Sequence, residues 1–203
     1  MNYKEMWVAL GLPENNDIGN IIYDTYREPH RHYHTERHLR ECMVLLDKFE
    51  DKFSRPAEVK LALYFHDFVY DPKSNTNEID SANYAVTYLR SINAPVSLQQ
   101  RIHDLVMMTA THTPSFKDYD AYLMMDIDLA ILGSEPDRFK EYQAQIRKEF
   151  NHVNTHEFIQ ARNEFLKKFL DYDTIFNTPY FRGHYEVTAR KNIRKLIQES
   201  TYE

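Results

Sequence analysis

His38, His66, Asp67, Asp126 and Asp128 are groups able to do chemistry, set in stretches otherwise built for packing. His38 falls on an apolar stripe of Leu39, Cys42, Leu45, Leu46 and Phe49, one turn before Cys42. His66-Asp67 interrupts a run that is apolar nearly all round, with Val59, Leu61, Ala62, Leu63, Phe65, Phe68 and Val69. Asp126 and Asp128 lie in Tyr122–Leu132, an equally greasy segment, two residues and so about 200° apart on a helix. A buried imidazole needs a partner, and a buried carboxylate is costly unless a cation or hydrogen bonds compensate it. Each position taken singly also fits a satisfied core histidine or a carboxylate paired with Arg or Lys. Taken together, two imidazoles and two carboxylates converging from three helices would hold a divalent metal with open positions, and would relieve one another's burial.

The elements that must position these groups read as helices. Eight prolines divide the chain into blocks of helical apolar period, and the four glycines leave little material for β-hairpin turns. The pattern predicts helices near 3–10, 15–27, 35–53, 57–70, 76–92, 96–110, 119–132, 136–150, 155–170 and 179–199. Thr35 is placed to cap the 35–53 helix, while Ser134-Glu135-Pro136-Asp137 and Thr178-Pro179 mark later starts. Strand signals, repeats and low-complexity linkers are weak or missing. The expectation is one all-α domain, a single helical bundle over 1–203, with the chemical site built from the helices near 35–53, 57–70 and 119–132.

Composition excludes several functions. Asp plus Glu number 31 against 25 Lys plus Arg, a net charge of −6, which argues against general nucleic-acid or anionic-membrane binding. One cysteine, Cys42, rules out an internal disulfide framework, and its place on the apolar stripe reads as packing. No run approaches the ~20 apolar residues of a membrane span, and the first residues lack a secretion signal, so a cytoplasmic protein is expected.

In this company His66-Asp67 belongs to a longer series: Tyr33-His34-Thr35-Glu36-Arg37-His38, His66-Asp67-Phe68-Val69-Tyr70-Asp71-Pro72, Asn77–Ala82, Thr109–His112 and Asp126–Gly133. Together with Ile175-Phe176, Phe181-Arg182 and Glu186–Asn192, the series resembles the HD superfamily of metal-dependent phosphohydrolases. The likeness is to a bacterial branch of predicted enzymes of about this chain's length, and it covers most of the chain. It implies an HD-type helical fold and a divalent ion (Mn, Mg, Co, Zn or Fe) held by His38, His66 and Asp67. A carboxylate from Asp126 or Asp128 completes that set, and the superfamily's Asp-before-Leu pattern favours Asp128. His34 resembles the acid–base histidine of cyclic-nucleotide phosphodiesterases, which carry a similar Tyr-His-x-x-x-His element. His103 and His112 match extra histidines that hold a second metal or phosphate in some members.

The activity so implied is cleavage of a phosphoester in a nucleotide or other small phosphorylated metabolite. Water on the metal attacks, Asp67 accepts a hydrogen bond from it, and His34 donates a proton to the leaving oxygen. Asp71, one turn beyond Asp67, and Glu78, after the proline break, are candidates to steady the water or a ligand histidine N–H. An acidic protein needs a local cation for phosphate: Arg37, nearest the motif, then Arg31, Lys73, Arg182 and Arg190, with His112 as a further phosphate contact. His30 and His32 read as a solvated loop at the site mouth, and His152, His156 and His184 as surface residues. Three other readings fit the same residues: a non-catalytic metal- or nucleotide-binding module, a di-iron HD oxygenase, and a structural helical protein. The many Tyr and Phe side chains leave a homodimer open.

Overall fold

The computed structural model describes residues 1–111 and 118–200. The fold is all-α: among the described residues there are helices and 3-10 turns but no strand. None of these helices is long and apolar enough to cross a membrane. Contacts group the chain into Met1–Ile127 and Asp128–Glu203.

The first unit begins with α1 (Tyr3–Ala9), closed by a reciprocal cap in which Asn2 and Glu5 bond each other's backbone N–H. Next comes α2 (Asn16–Thr25), capped by Asn15. Its buried stripe, Ile18, Ile22 and the following Tyr26, steps by one turn each time. Then α3 (Glu36–Lys48) starts where Thr35 accepts the Arg37 N–H at 3.3 Å, and it buries His38, Leu39, Cys42 and Leu46. The helix expected to reach residue 53 stops at Lys48. Phe49 leaves helical geometry to bury its ring, and Glu50–Lys52 form a separate 3-10 turn.

The centre is α4 (Pro56–Phe65), with Pro56 in its first turn. Val59, Leu61, Ala62, Leu63 and Phe65 are fully buried on all sides, as an all-round apolar helix requires, and α4 packs against α1, α3, α5 and α6. Its charged exception, Lys60, reaches the Asp47 carboxylate at 3.0 Å. α5 (Asn77–Ser91) and α6 (Val96–Met108) form an antiparallel pair. They are joined at Asn93, whose φ of +57° is a left-handed helix-ending conformation that asparagine tolerates. α7 (Tyr119–Asp128) follows the undescribed stretch, and its Asp120 carboxylate receives the N–H groups of Ser54 and Arg55 at 2.8 and 2.9 Å.

A correction concerns the helix expected over 57–70, which ends at Phe65 with His66 as its cap residue. The backbone groups that would continue it are taken by side chains from elsewhere. The Val69 N–H donates to Ser81 Oγ at 2.9 Å and the Asp71 N–H to Asn77 Oδ1 at 2.9 Å. The carbonyls of Asp67 and Phe68 accept from Arg31. His66-Asp67 therefore sits on a turn at the helix terminus, where neighbouring side chains can point to one place, rather than along a helix.

The second unit starts with a 3-10 turn, Leu129–Gly133, where the sequence suggests continued α-helix. α8 (Pro136–Glu149), α9 (Thr155–Asp171), α10 (Pro179–His184) and α11 (Glu186–Ser200) follow. The single helix expected over 179–199 is thus two, divided at Tyr185. Asn192 of α11 donates to the carbonyls of Leu132 and Ser134 at 3.0 and 2.9 Å. Gly133 is a close approach: a Cβ there would lie 2.7 Å from the Tyr185 Cβ and carbonyl oxygen.

Candidate metal centre

His38 reaches the site from the first turns of α3, and His66 and Asp67 from the end of α4. The two Nε2 atoms of His38 and His66 lie 3.1 Å apart. Asp67 Oδ2 stands 3.0 Å from His66 Nε2 and 3.5 Å from His38 Nε2. One ligand atom from each of the three lies within 4.8 Å of the others. His38 and His66 are 3 % and 1 % exposed, so this is a buried cluster.

Hydrogen bonding decides what these atoms offer. His66 Nδ1 lies 2.8 Å from the Leu63 carbonyl, which can only accept, so Nδ1 carries the proton. A neutral His66 then presents a lone pair at Nε2, facing the carboxylate oxygen. Two lone pairs 3.0 Å apart repel unless a proton or a cation lies between them. Histidine ligands of metals characteristically hand their other N–H to a backbone carbonyl in this way. The donor set, two imidazole nitrogens and a carboxylate oxygen, fits a divalent transition ion that retains open positions.

The electrostatics agree. Burial alone raises the Asp67 carboxyl; the neighbouring imidazoles of His66, His34 and His38 more than reverse this and hold it well below the ordinary range. Asp67 is therefore an anion at neutral pH, 17 % exposed. Cys42 Sγ packs 3.8 Å from His38 Nδ1, and the Tyr33 ring lies 4.8 Å from the His38 ring, so the imidazole is braced on two sides.

His34 joins the cluster's edge. Its ring centroid is 6.1 Å from that of His38 and 4.2 Å from that of Tyr70, and it meets Tyr33 edge-on at 5.0 Å. Asp126 is fully buried within α7. Asp128 is the half-buried last residue of α7, where the second unit begins. Asp71 is exposed and its carboxylate caps a turn through the Lys73 N–H at 2.9 Å, while Glu78 is half-buried in the first turn of α5. His103 stands beside Asp104 at 3.3 Å on α6. His112 lies outside the described residues.

Arg31, Arg182 and Arg190 do not stand as free cations for phosphate, contrary to the sequence reading. Arg182 is committed to the carbonyls of Phe176 and Asn177. Arg190 is committed to Glu186 and to the carbonyls of Leu170, Tyr172 and Asp173. Arg31, with a fully buried side chain, is committed to backbone beside the His38, His66 and Asp67 cluster itself. Arg37, one residue from His38, pairs with Glu41 at 3.2 Å and is 41 % exposed. His30 is exposed, as the sequence suggests, and its Nε2 lies 2.8 Å from the Tyr70 carbonyl, with the two rings stacked.

Two supporting residues escape sequence reasoning. Tyr26 accepts the Asp67 N–H at 3.3 Å, and burial pushes its hydroxyl up to about 12. Its signal was the i, i+4, i+8 stripe with Ile18 and Ile22. Ser81, fully buried, receives the Val69 N–H, and nothing local in the sequence announces that partnership. Neither a family model, a curated protein nor a solved structure matches the chain.

Proposed function

We propose that this protein is a metal-dependent phosphohydrolase acting on a small phosphorylated substrate, nucleotide-like in character. The observation that carries the reading is the convergence of His38 Nε2, His66 Nε2 and Asp67 Oδ2, with His66 locked by Leu63 in the tautomer that faces a lone pair inward. Asp128 is the proposed fourth ligand and Asp126 the alternative. The resemblance to the HD superfamily, whose order of ligands this chain repeats, points to phosphoester cleavage rather than to another use of the ion.

A bound divalent ion supplies Lewis acidity there, lowering the pKa of coordinated water to about 7 in favourable cases and offsetting charge on a phosphoryl oxygen. Asp67 stays anionic and accepts a hydrogen bond from the attacking water. His34, held against the Tyr70 ring 4.2 Å away, delivers a proton to the leaving oxygen. Arg37 meets the substrate phosphate from the first turn of α3, exchanging its Glu41 partner for the anion. The Leu63 carbonyl keeps His66 from turning away.

The test is turnover of a generic phosphoester and of nucleoside mono-, di- and triphosphates, cyclic dinucleotides and sugar phosphates with Mn²⁺, Mg²⁺, Co²⁺, Zn²⁺ and Fe²⁺. His38→Ala and Asp67→Ala, purified in parallel, exclude contaminating activity. Turnover that chelation abolishes and both variants lack supports the reading. Metal-dependent nucleotide binding with no turnover would replace it with a non-catalytic module.

A further inference from the structure

The side chain of Arg31 is fully buried, and its nearest carboxylate is Glu28, 3.0 Å from Nε. Its remaining hydrogen bonds go to main-chain carbonyls: one terminal nitrogen to His34 at 3.2 Å and Asp67 at 2.7 Å, the other to Phe68 at 2.8 Å. The guanidinium carbon lies 5.2 and 5.4 Å from the Tyr26 and Tyr70 rings. We infer that Arg31 is the positioning residue of the metal centre, its guanidinium fork fixing the backbone that carries Asp67 and His34 and thereby setting metal affinity. The inference rests on the proposed metal centre and not on the identity of the substrate.

The geometry separates this role from that of a general staple. The segments joined are those bearing the proposed ligand Asp67 and the proposed acid His34, 36 and 3 residues from Arg31 in the chain. In an uninterrupted helix the Asp67 carbonyl would accept from the Asp71 N–H, but that N–H donates to Asn77. Arg31 thus supplies the donors that make the turn stable in place of another helical turn. Since each added helical residue rotates the next side chain by about 100°, the choice of turn over helix decides where Asp67 points. The guanidinium acts through carbonyls rather than by charge on the Asp67 carboxylate, and Glu28 neutralises it. Lysine, a single point donor, has no planar fork with which to span three carbonyls.

Arg31→Lys, Arg31→Gln and Arg31→Ala should bind Co²⁺ and Mn²⁺ about 10- to 100-fold more weakly than the wild type while folded by circular dichroism. The visible Co²⁺ spectrum of the variants should change, which a purely structural role would not produce in the folded fraction. Guanidinium ion at low millimolar concentration should restore affinity to Arg31→Ala, whereas methylammonium should not. Should the variants fail to fold, the wild type still decides: by reciprocity of linkage, metal must slow solvent exchange of the Arg31 Nε–H followed by ¹⁵N NMR. Wild-type affinity and spectrum in folded variants, or unchanged Nε–H exchange on metal addition, would overturn the inference. If the wild type binds no metal, both readings fall. If it binds metal but cuts no phosphoester, only the proposed activity falls.

Discussion

His66 Nδ1 lies 2.8 Å from the carbonyl oxygen of Leu63, so a residue of the central helix fixes which nitrogen of the imidazole faces Asp67. The Nε2–Oδ2 approach of 3.0 Å then calls for a positive charge between the two atoms. Wild-type protein should accordingly gain thermal stability with a transition-metal ion, about 2.7 kcal/mol at free metal a hundred times Kd. His38→Ala, His66→Ala and Asp67→Ala should each lose that gain, with affinity reduced on the order of 100-fold or more, since even supporting residues are worth 10- to 100-fold. Isothermal calorimetry and melting curves with and without metal check this; a metal-induced stabilisation equal in all four proteins would remove the cluster as the binding site.

The two aspartates of α7 should separate by phenotype. Asp128→Ala is expected to weaken metal binding at least about tenfold with a melting temperature close to wild type. Asp126, fully buried, should matter to folding: Asp126→Ala is expected to lower stability by about 1–3 kcal/mol, read by urea denaturation. The reverse pattern would make Asp126 the ligand.

His34 lies beside the cluster, its ring 6.1 Å from His38, and its proposed work is proton delivery. His34→Ala should lower kcat by about 10²- to 10⁴-fold and leave metal affinity unchanged. Wild-type kcat in the variant would retire His34 as the acid.

Acid stability has a separate marker in the Arg101 cluster. Arg101, 9 % exposed, pairs with Asp118 and lies 3.4 and 3.8 Å from Glu58 and Asp120. Burial alone raises the Asp118 carboxyl, but Arg101 and the N–H groups of Ala121 and Asp120 hold it below its ordinary 3.8. A folded pKa below the unfolded one means that unfolding takes up a proton in the interval between them. The stabilisation is fully present above the unfolded value of 3.8 and is lost as pH falls through the lower, folded value. Asp118→Asn should therefore cost about 1–3 kcal/mol at neutral pH and flatten the decline in stability below about pH 4, as melts across pH would record.

Glycine positions in the second unit offer a paired test. Gly133→Ala would press a methyl group against Tyr185 backbone and Cβ at 2.7 Å, and should cost about 1–3 kcal/mol. Gly183, within α10, has open space around its Cα, so Gly183→Ala should be neutral or stabilising by up to about 1 kcal/mol. Chemical denaturation of the two variants should give opposite signs.

The all-α class was legible because helical periodicity and proline punctuation are local. His38 was legible for the same reason: its companions Leu39, Cys42 and Leu46 lie within two turns and are buried with it. His66 and Asp67 were recognisable as groups, yet their setting was not. What ends α4 at Phe65 is Arg31, Ser81 and Asn77, whose side chains claim the backbone groups a longer helix would use. No pattern within 57–70 records partners that distant. The same limit explains Arg31, which reads as a solvated cation between Pro29 and His34 until the carbonyls it holds are seen.

The end of α4 at His66 also shapes the field at the site. An α-helix carries roughly half a negative charge at its C-terminal pole, spread over carbonyls without an intrahelical partner. His66, a proposed ligand, is the cap residue at that pole, and Asp67 follows it directly. The central helix of the first unit thus directs its dipole so that its negative end favours a cation, an attraction that needs no additional ionised side chain. Lengthening α4 by one turn would carry that pole past the imidazole and away from the proposed ion position.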